Sequence, residues 1–179
     1  MNRPEPKICW VITGAGHFLR ESVALLPEEA DVYLTRAAVE VCARYGVSEQ
    51  IAGGGRRVLR EAGYSSAPII YFSMGRYSRL LIAPATANTV AKCAFGIADS
   101  LASNFFAQAA KSGIECAVLP TDVAPEMTSV TPSGKSIIVK PRMLDLENTE
   151  KLAQIENVVL LRSIADLAAY LVGSPRDAG

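Results

Sequence analysis

The sequence has no excess charge of either sign and no long hydrophobic run. Lysine plus arginine and aspartate plus glutamate each number 18 among 179 residues, so the formal net charge is zero. This balance argues against binding to nucleic acid or an anionic membrane through bulk electrostatics, although it allows a local charged patch. No apolar run approaches the roughly 20 residues that a membrane-spanning helix needs. Half of the residues are hydrophobic, which is typical of a single folded domain of this length.

Cysteine is also scarce, and its four copies are far apart. They are Cys9, Cys42, Cys93 and Cys116. The absence of a CxxC pair or a Cys/His cluster argues against a zinc site or an iron–sulfur cluster, and the apolar neighbours predict buried free thiols in a cytoplasmic protein. The N-terminal segment up to Lys7 is polar and contains two prolines, unlike a signal peptide. We expect residues 1–6 to be flexible and 173–179 to form a disordered tail.

Short apolar runs alternate with segments of helical period. The runs that predict buried strands are 8–12, 32–34, 80–83, 117–119 and 158–161. The segments that predict helices are 19–26, 38–45, 90–95, 101–109, 146–155 and 164–171. Gly46 is predicted to cap one helix C-terminus, and Asp99 and Ser163 to cap two N-termini. Because alternating strands and helices form βαβ units, the sequence predicts a single α/β domain with a doubly wound, mostly parallel sheet.

Four segments give weaker patterns. Three glycines at 53–55 predict a flexible loop, 56–61 a helical turn, and 69–72 an additional strand. Residues 120–143 lack a helical period and contain four prolines, so they predict a long loop with one strand at 137–139. Loops of this length are usually either functional or mobile.

The first junction between a strand and a helix has the composition of a phosphate site. In doubly wound sheets, ligands bind at the carboxyl ends of the strands. Residues 13–16, Thr-Gly-Ala-Gly, would let backbone N–H groups approach an anion beside a helix N-terminus. Position 19 is leucine instead of a third glycine, and Thr35-Arg36 ends the second strand without an acidic residue for a ribose. A mononucleotide therefore fits better than NAD, with a plain tight turn as the alternative.

The junction after the 80–83 strand is more unusual. It reads Pro-Ala-Thr-Ala-Asn-Thr over residues 84–89. Hydroxyls, a side-chain amide and backbone N–H groups converge there, and such groups can bind ribityl hydroxyls and the carbonyl edge of a flat ring. A capped helix start is the other interpretation. Lys92, one turn further on, is interpreted as a solvated lysine.

The run from Pro84 to Lys92, followed by Gly-Ile-Ala-Asp-Ser-Leu at 96–101, resembles the Pro-Ala-Ser/Thr-Ala-Asn-Thr signature of the flavin-containing cysteine-decarboxylase-like flavoprotein superfamily. Residues 13–21 and 103–109 resemble one branch, the acceptor-type dihydromethanopterin reductases and their bacterial relatives. The resemblance covers most of residues 7–165. It implies a Rossmann-like, FMN-binding domain over 7–172, assembled as trimers or multiples of trimers with the flavin at a subunit interface.

The resemblance also implies which residues hold the cofactor. They are Thr13, Gly14, Ala15 and Gly16 at the phosphate loop, Thr35 after the second strand, Pro84, Ala85, Thr86, Asn88 and Thr89 along the ribityl chain and ring, and Ser103 and Asn104 in the same region.

The sequence departs from the decarboxylases of this superfamily. Residues 68–83 contain no histidine, and Pro-Thr-Asp-Val at 120–123 stands where those enzymes have Pro-x-Met-Asn. The cysteine-rich insertion of archaeal reductases is missing too, which implies an external electron donor. The resemblance therefore implies an FMN-dependent reductase that converts dihydromethanopterin, a pterin, to tetrahydromethanopterin. An unusual flavin-dependent decarboxylase, an electron-transfer flavoprotein without a pterin site and a non-catalytic module remain alternatives.

A few further residues have two interpretations each. The only histidine, His17, is a weak catalytic candidate or a polar contact near the phosphate loop. Three arginines could hold a phosphate or an acidic pterin tail, or be surface cations; they are Arg36, Arg76 and Arg79. Three aromatic residues could stack on a ring or pack in the core; they are Tyr71, Phe72 and Tyr77.

Overall fold

The fold is organised around a parallel sheet of six strands. The computed structural model describes residues 7–61 and 70–173. The strands of this sheet are β1 (Lys7–Ile12), β2 (Asp31–Leu34), β3 (Arg57–Arg60), β4 (Tyr77–Ala85), β5 (Glu115–Pro120) and β8 (Val158–Leu160). They lie in the order β3-β2-β1-β4-β5-β8, and every neighbouring pair is parallel. A separate antiparallel hairpin consists of β6 (Met127–Val130) and β7 (Ser136–Val139). The predicted doubly wound, mostly parallel α/β sheet is confirmed.

Helices follow most strands. They are α1 (Leu19–Ala24), α2 (Arg36–Tyr45), α3 (Ser48–Ala52), α4 (Ile70–Ser73), α5 (Ala87–Ala94), α6 (Leu101–Lys111), α7 (Met143–Leu152) and α8 (Ile164–Val172). Gly46 ends α2 in the left-handed conformation, and the Ser163 hydroxyl caps α8 by accepting the Asp166 N–H, as predicted. Within the described ranges, no helix is both long and apolar enough to cross a membrane.

Two hydrophobic cores cover the two faces of the sheet. Alternate residues of each strand point to opposite faces, so Trp10 and Leu81 belong to one core and Val11 and Ile82 to the other. The first core packs under α1, α2, α3 and α8, and the second under α5 and α6. Burial on both faces explains why these strands are continuous apolar runs in the sequence.

Two weak segments differ from the prediction because tertiary pairing decides their structure. Residues 57–60 form strand β3 instead of a helical turn, since they pair in register with β2 at the edge of the sheet. Residues 70–73 form a helical turn, α4, instead of a strand, because it brings Phe72 against Phe105 in the second core. Position 69 of that predicted strand lies outside the described residues.

Other boundaries shift as well. Ser100, and not Asp99, is the N-cap of α6, since its side chain accepts the Ser103 N–H while Asp99 pairs with Lys92 at 2.7 Å. Lys92 is therefore ion-paired instead of solvated. The 53–55 segment forms a tight turn in which Gly54 and Gly55 have positive φ angles of 70° and 71°. The 120–143 segment contains two strands instead of one, because β6 provides the backbone partner that β7 needs. The expectations for residues 1–6 and 174–179 lie outside the described residues.

Candidate functional site

A cleft of about 530 Å³ lies at the carboxyl ends of β1, β2 and β4. Its lining residues are Thr13, Gly14, Thr35, Arg36, Ala37, Glu61, Thr86, Asn88, Thr89 and Ser100. The three junctions that the sequence singles out thus face one space, and they bring together six of the predicted binding residues: Thr13, Gly14, Thr35, Thr86, Asn88 and Thr89. The sheet produces this arrangement because successive strands are added on one side of β1 up to β3 and on its other side from β4 onward, so the loops that follow β1 and β4 separate and leave a crevice.

Thr13 ties two of these junctions together. Its hydroxyl donates to the Pro84 carbonyl at 2.8 Å and accepts the Thr86 N–H at 3.0 Å. On the other side of β4, the Thr121 N–H donates to the Ala85 carbonyl at 3.0 Å. Pro84 and Ala85 are consequently buried in the end of β4 and fix the position of the Thr86 turn.

The glycines of the first junction are required by packing against α2. A Cβ added to Gly14 would overlap Ala37, and one added to Gly16 would overlap the Tyr45 side chain. The Tyr45 hydroxyl in turn donates to the Val130 carbonyl at 3.0 Å, which fixes that side chain. Both glycines therefore allow close approach of the loop to the helix, in addition to any approach of a ligand.

An anion-binding position lies where the N-termini of α2 and α6 meet. The Glu61 carboxylate accepts the Arg36 N–H at 2.9 Å and the Leu101 N–H at 3.1 Å. These are the first N–H groups of helices of 10 and 11 residues, so two positive helix ends favour an anion here. The Thr35 hydroxyl accepts the Ala38 N–H at 3.2 Å, which leaves its own proton available to a ligand. The sequence has no carboxylate at the end of β2. Glu61, which directly follows β3, supplies one at this place.

The start of α5 forms the opposite wall of the cleft. The Thr86 hydroxyl accepts the Thr89 N–H at 3.3 Å and lies 3.1 Å from the Thr89 hydroxyl. Asn88, between them in sequence, is exposed in the cleft. This wall therefore presents hydroxyl and amide groups on a fixed helical turn.

A smaller cavity of about 170 Å³ adjoins this wall and shares Thr86 with the cleft. Its lining residues are Ala15, Gly16, His17, Thr86, Thr121, Asp122, Met127, Ser129 and Val139. Burial lowers the pKa of His17 below its usual 6.5, against the opposing effect of Glu21 and Asp122. Burial raises the pKa of Asp122 above the usual range of a carboxyl, and the nearby Asp145 adds to this effect.

The remaining predicted residues lie elsewhere. Ser103 is buried, and its hydroxyl contacts the backbone N–H groups of Asp99 and Ser100 at the start of α6. Asn104 lies in the same turn and is not among the residues that line the described cleft.

Two of the three arginines are far from the cleft. Arg76 binds Asp31 at the opposite, amino edge of the sheet, at 2.8 Å. Arg79 donates to the carbonyls of Tyr170 and Gly173 at the end of α8. Arg36 alone of the three lines the cleft.

The aromatic candidates and the cysteines belong to the core. The Tyr77 ring contacts the rings of Tyr71 and Phe72, and none of the three is among the residues that line the described cleft. All four cysteines are free and buried, as predicted, and burial raises the pKa of Cys93 to about 12.

Sequence reasoning missed Glu61, Ser100 and the chemistry of Asp122. Glu61 follows a strand that the local pattern does not reveal, so its place at the carboxyl edge was hidden. Ser100 had a signal, since serine directly before an apolar helical run is a preferred N-cap residue.

Residues 1–175 match the family model described as Flavoprotein. The chain is 39% identical over 141 residues to the dihydromethanopterin reductase (acceptor) of Methanosarcina mazei, covering 70% of this chain and 59% of that protein. The chain thus spans somewhat more than half the length of this relative. It is 31% identical to the protein of the same name from Methanocaldococcus jannaschii, over 87% of this chain and 92% of that one.

A solved structure is similar along nearly the whole chain. It is DmrB of Burkholderia xenovorans, crystallised in complex with FMN and described as a cubic protein cage for redox transfer. The sequence identity is 37% and the TM-score 0.83, and the match covers 95% of both chains.

Proposed function

Because the chain belongs to the Flavoprotein family, we propose that it binds FMN in the cleft at the carboxyl ends of β1, β2 and β4 and reduces dihydromethanopterin to tetrahydromethanopterin. An external donor supplies the electrons. The observation that carries this proposal is the convergence of the three junctions on one cleft, in a chain 37% identical to FMN-bound DmrB over 95% of both chains.

The phosphate of FMN fits the N-terminus of α2. The Glu61 carboxylate on the first N–H groups of α2 and α6 marks this end of the cleft as a position for an anion, and we propose that the phosphate replaces that carboxylate on these groups. Thr35 and Arg36 add a hydroxyl and a guanidinium at the same end of the cleft. Hydrogen bonds to charged acceptors of this kind contribute about 1.5–3 kcal/mol each.

The ribityl chain and the ring fit along the start of α5. Thr86, Asn88 and Thr89 offer hydroxyl and amide groups, and the backbone of Pro84 and Ala85 supports them from behind. We also assign the first loop, Thr13 to Gly16, to the FMN site. The first turn of α6, with Ser103 and Asn104, belongs to the site as well, because this turn positions Ser100. When bound, FMN supplies the redox chemistry as a hydride from its N5, and the protein supplies orientation and electrostatics.

The pterin fits beside the flavin, at the adjoining cavity that Thr86 shares with the cleft. Hydride transfer requires the two ring systems to stack with the reacting atoms about 3–3.5 Å apart. Met127, Ser129 and Val139 of the β6–β7 hairpin line this cavity. The hairpin therefore shields the reacting atoms from water, which is the role we propose for the 120–143 segment.

We further propose a cytoplasmic homo-oligomer built from trimers. Several large apolar side chains are exposed on the single chain, among them Phe95, Ile138 and Met143. Exposed apolar surface of this kind is typical of subunit interfaces. DmrB, the similar solved structure, is described as a cubic protein cage, which supports an oligomeric assembly. The four free cysteines support the cytoplasmic location, because thiols stay reduced there.

The absorption spectrum of the purified protein, followed by a single-turnover assay, tests the proposal. We expect bound FMN, and we expect the chemically reduced protein to be reoxidised anaerobically by dihydromethanopterin at a catalytic rate. A colourless protein that takes up no FMN would overturn the cofactor assignment. Bound flavin without reoxidation by the pterin would instead support an electron-transfer flavoprotein, and release of carbon dioxide from a cysteine-terminated peptide would support a decarboxylase.

A further inference from the structure

We propose that Asp122 donates the proton that accompanies hydride transfer to the pterin, and that His17 delivers this proton to Asp122 from solvent. This inference rests on the proposed reductase function. Reduction of a C=N bond needs both a hydride at carbon and a proton at nitrogen, and the flavin supplies only the hydride.

Asp122 lies at the right place for this role. It follows β5, whose end is joined to the end of β4 by the bond between Thr121 and Ala85. It lines the small cavity together with Thr86, which also lines the flavin cleft. A substrate that stacks on the flavin at this wall therefore brings its ring nitrogens toward the Asp122 carboxyl.

The Asp122 carboxyl is held in position. The Thr121 hydroxyl donates to Asp122 Oδ2 at 3.0 Å, and the Thr149 hydroxyl of α7 donates to the Asp122 carbonyl at 3.0 Å. One oxygen of the carboxyl is thus engaged, and Oδ1 is the oxygen left to hold a transferable proton. Fixed geometry of this kind is what a general acid requires.

His17 connects the small cavity with the surface. It lines the same cavity as Asp122 and also a second one of about 230 Å³, which it shares with Arg20, Glu21 and Ile164. It is half-buried, and it stands on the loop between β1 and α1. An imidazole that faces both spaces can take a proton from solvent on one side and release it on the other.

The charges around the pair favour proton exchange between them. Among the described residues, three charged or titratable groups face Asp122: His17 of the first loop, and Arg142 and Asp145 at the start of α7. Glu21 and Asp122 face His17. Arg142 donates to both Asp145 oxygens, at 2.7 and 2.8 Å, and so keeps that carboxyl ionised. Burial raises the pKa of Asp122 and lowers that of His17, so both shifts bring the two values closer together.

The proposed step balances as follows. The hydride of the reduced flavin forms a C–H bond at the imine carbon, and the electron pair of the C=N π bond forms an N–H bond with the Asp122 proton. The flavin is thereby oxidised, and the pterin gains two electrons and two hydrogen atoms. Asp122 becomes a carboxylate. A proton from His17 restores the acid, and water reprotonates His17.

A proton NMR titration tests the coupling without any turnover. His17 is the only histidine of the chain, so its ring signal needs no assignment. We expect its pKa to lie below 6.5 in the wild-type protein, and we expect its titration curve to carry a second inflection from Asp122, which is lost in Asp122→Asn because an amide does not titrate. An identical titration in both proteins would overturn the pairing.

Stopped-flow reoxidation of the reduced protein tests the catalytic role. We expect Asp122→Asn to slow reoxidation by the dihydropterin about 10²-fold or more, and to leave FMN affinity and reoxidation by ferricyanide unchanged. Asp122→Glu, which keeps a proton, should recover part of the rate. His17→Gln should alter the pH profile of the pterin step. Glu126→Gln, on the same segment but exposed and paired with Lys140, is the matched control.

The outcomes separate the two proposals. A wild-type protein that the dihydropterin does not reoxidise contradicts the proposed function itself. A wild-type protein that is reoxidised normally, with Asp122→Asn equally fast, contradicts only the assignment of the acid.

Discussion

Gly14 and Ala37 touch across the boundary between the first loop and α2. A Cβ built on Gly14 would lie 2.5 Å from the Cβ of Ala37, far inside the contact distance of two methyl groups. Gly14 follows β1 and Ala37 is the second residue of α2, so this contact sets the distance between two sides of the proposed FMN phosphate site.

Gly14→Ala should therefore lower the free energy of unfolding by about 1–3 kcal/mol, because the added methyl group overpacks the contact. Urea unfolding of the purified variant measures this. Gly53→Ala is the matched control, since a Cβ at Gly53 meets nothing within 4 Å and its φ of −67° suits alanine. The double variant Gly14→Ala/Ala37→Gly should recover part of the loss. Additive destabilisation by the two changes would show that the contact is not the cause.

Thr13→Val should loosen the junction between β1 and β4. The substitution leaves the Pro84 carbonyl and the Thr86 N–H without the hydroxyl that joins them. We expect a loss of about 1–3 kcal/mol in unfolding free energy and weaker FMN binding, because the Thr86 turn loses its support. Thr13→Ser keeps the hydroxyl and should resemble the wild type in urea unfolding and flavin titration. Equal behaviour of the valine and serine variants would contradict this role.

Asn88→Asp should weaken FMN binding about tenfold or more. The change removes an amide donor from the cleft and adds a negative charge near a phosphorylated ligand, a loss of about 1–2 kcal/mol. Quenching of flavin fluorescence during titration measures the Kd. Asn157→Asp makes the same chemical change at an exposed position before β8, on the opposite edge of the sheet, and should have no effect. An unchanged Kd for Asn88→Asp would remove this residue from the site.

Asp31→Asn should destabilise the fold at neutral pH and much less in acid. Burial pushes the pKa of Asp31 upward, but hydrogen bonds from Arg76 and Tyr77 and the nearby cations outweigh it, so its pKa is lowered. A carboxyl whose pKa is depressed by folding stabilises the fold above its unfolded pKa of about 3.9, and this contribution is lost as pH falls through the lower folded value. We expect a difference of about 1–3 kcal/mol from the wild type at pH 7.

Urea unfolding of both proteins across this pH range provides the check. The gap between wild type and Asp31→Asn should narrow steadily below pH about 4. Glu156→Gln is a suitable control, because Glu156 is an exposed carboxyl in the loop before β8. A gap that stays constant with pH would show that the ionised form of Asp31 does not supply the stability.

The sequence by itself determined the elements whose signal is local. The strands around Trp10, Leu81 and Val118 are buried on both faces, so each is an uninterrupted apolar run. Ser163 and Gly46 mark helix ends because capping depends on neighbours within a turn. The 84–89 segment was identifiable for the same reason, since its polar groups follow one strand directly and resemble a signature of contiguous residues.

Elements that depend on distant partners were decided by the tertiary structure. Strand β3 exists because β2 offers an edge, and β6 exists because β7 folds back on it. Arg76 was interpreted as a possible phosphate ligand, but it lies at the amino edge beside Asp31, 45 positions away in sequence. A cation's partner is set by the sheet order, which no local pattern contains.

Chemistry at the site divides in the same way. Residue type and the place after a strand were enough to predict that Thr35, Thr86 and Asn88 face one shared space. Only the folded chain could bring the Glu61 carboxylate to the Leu101 N–H, 40 positions away, or place Asp122 in the same cavity as His17. The physical reason is that strand-end chemistry follows from local sequence, whereas the meeting of two loops follows from strand order and from the packing of both cores.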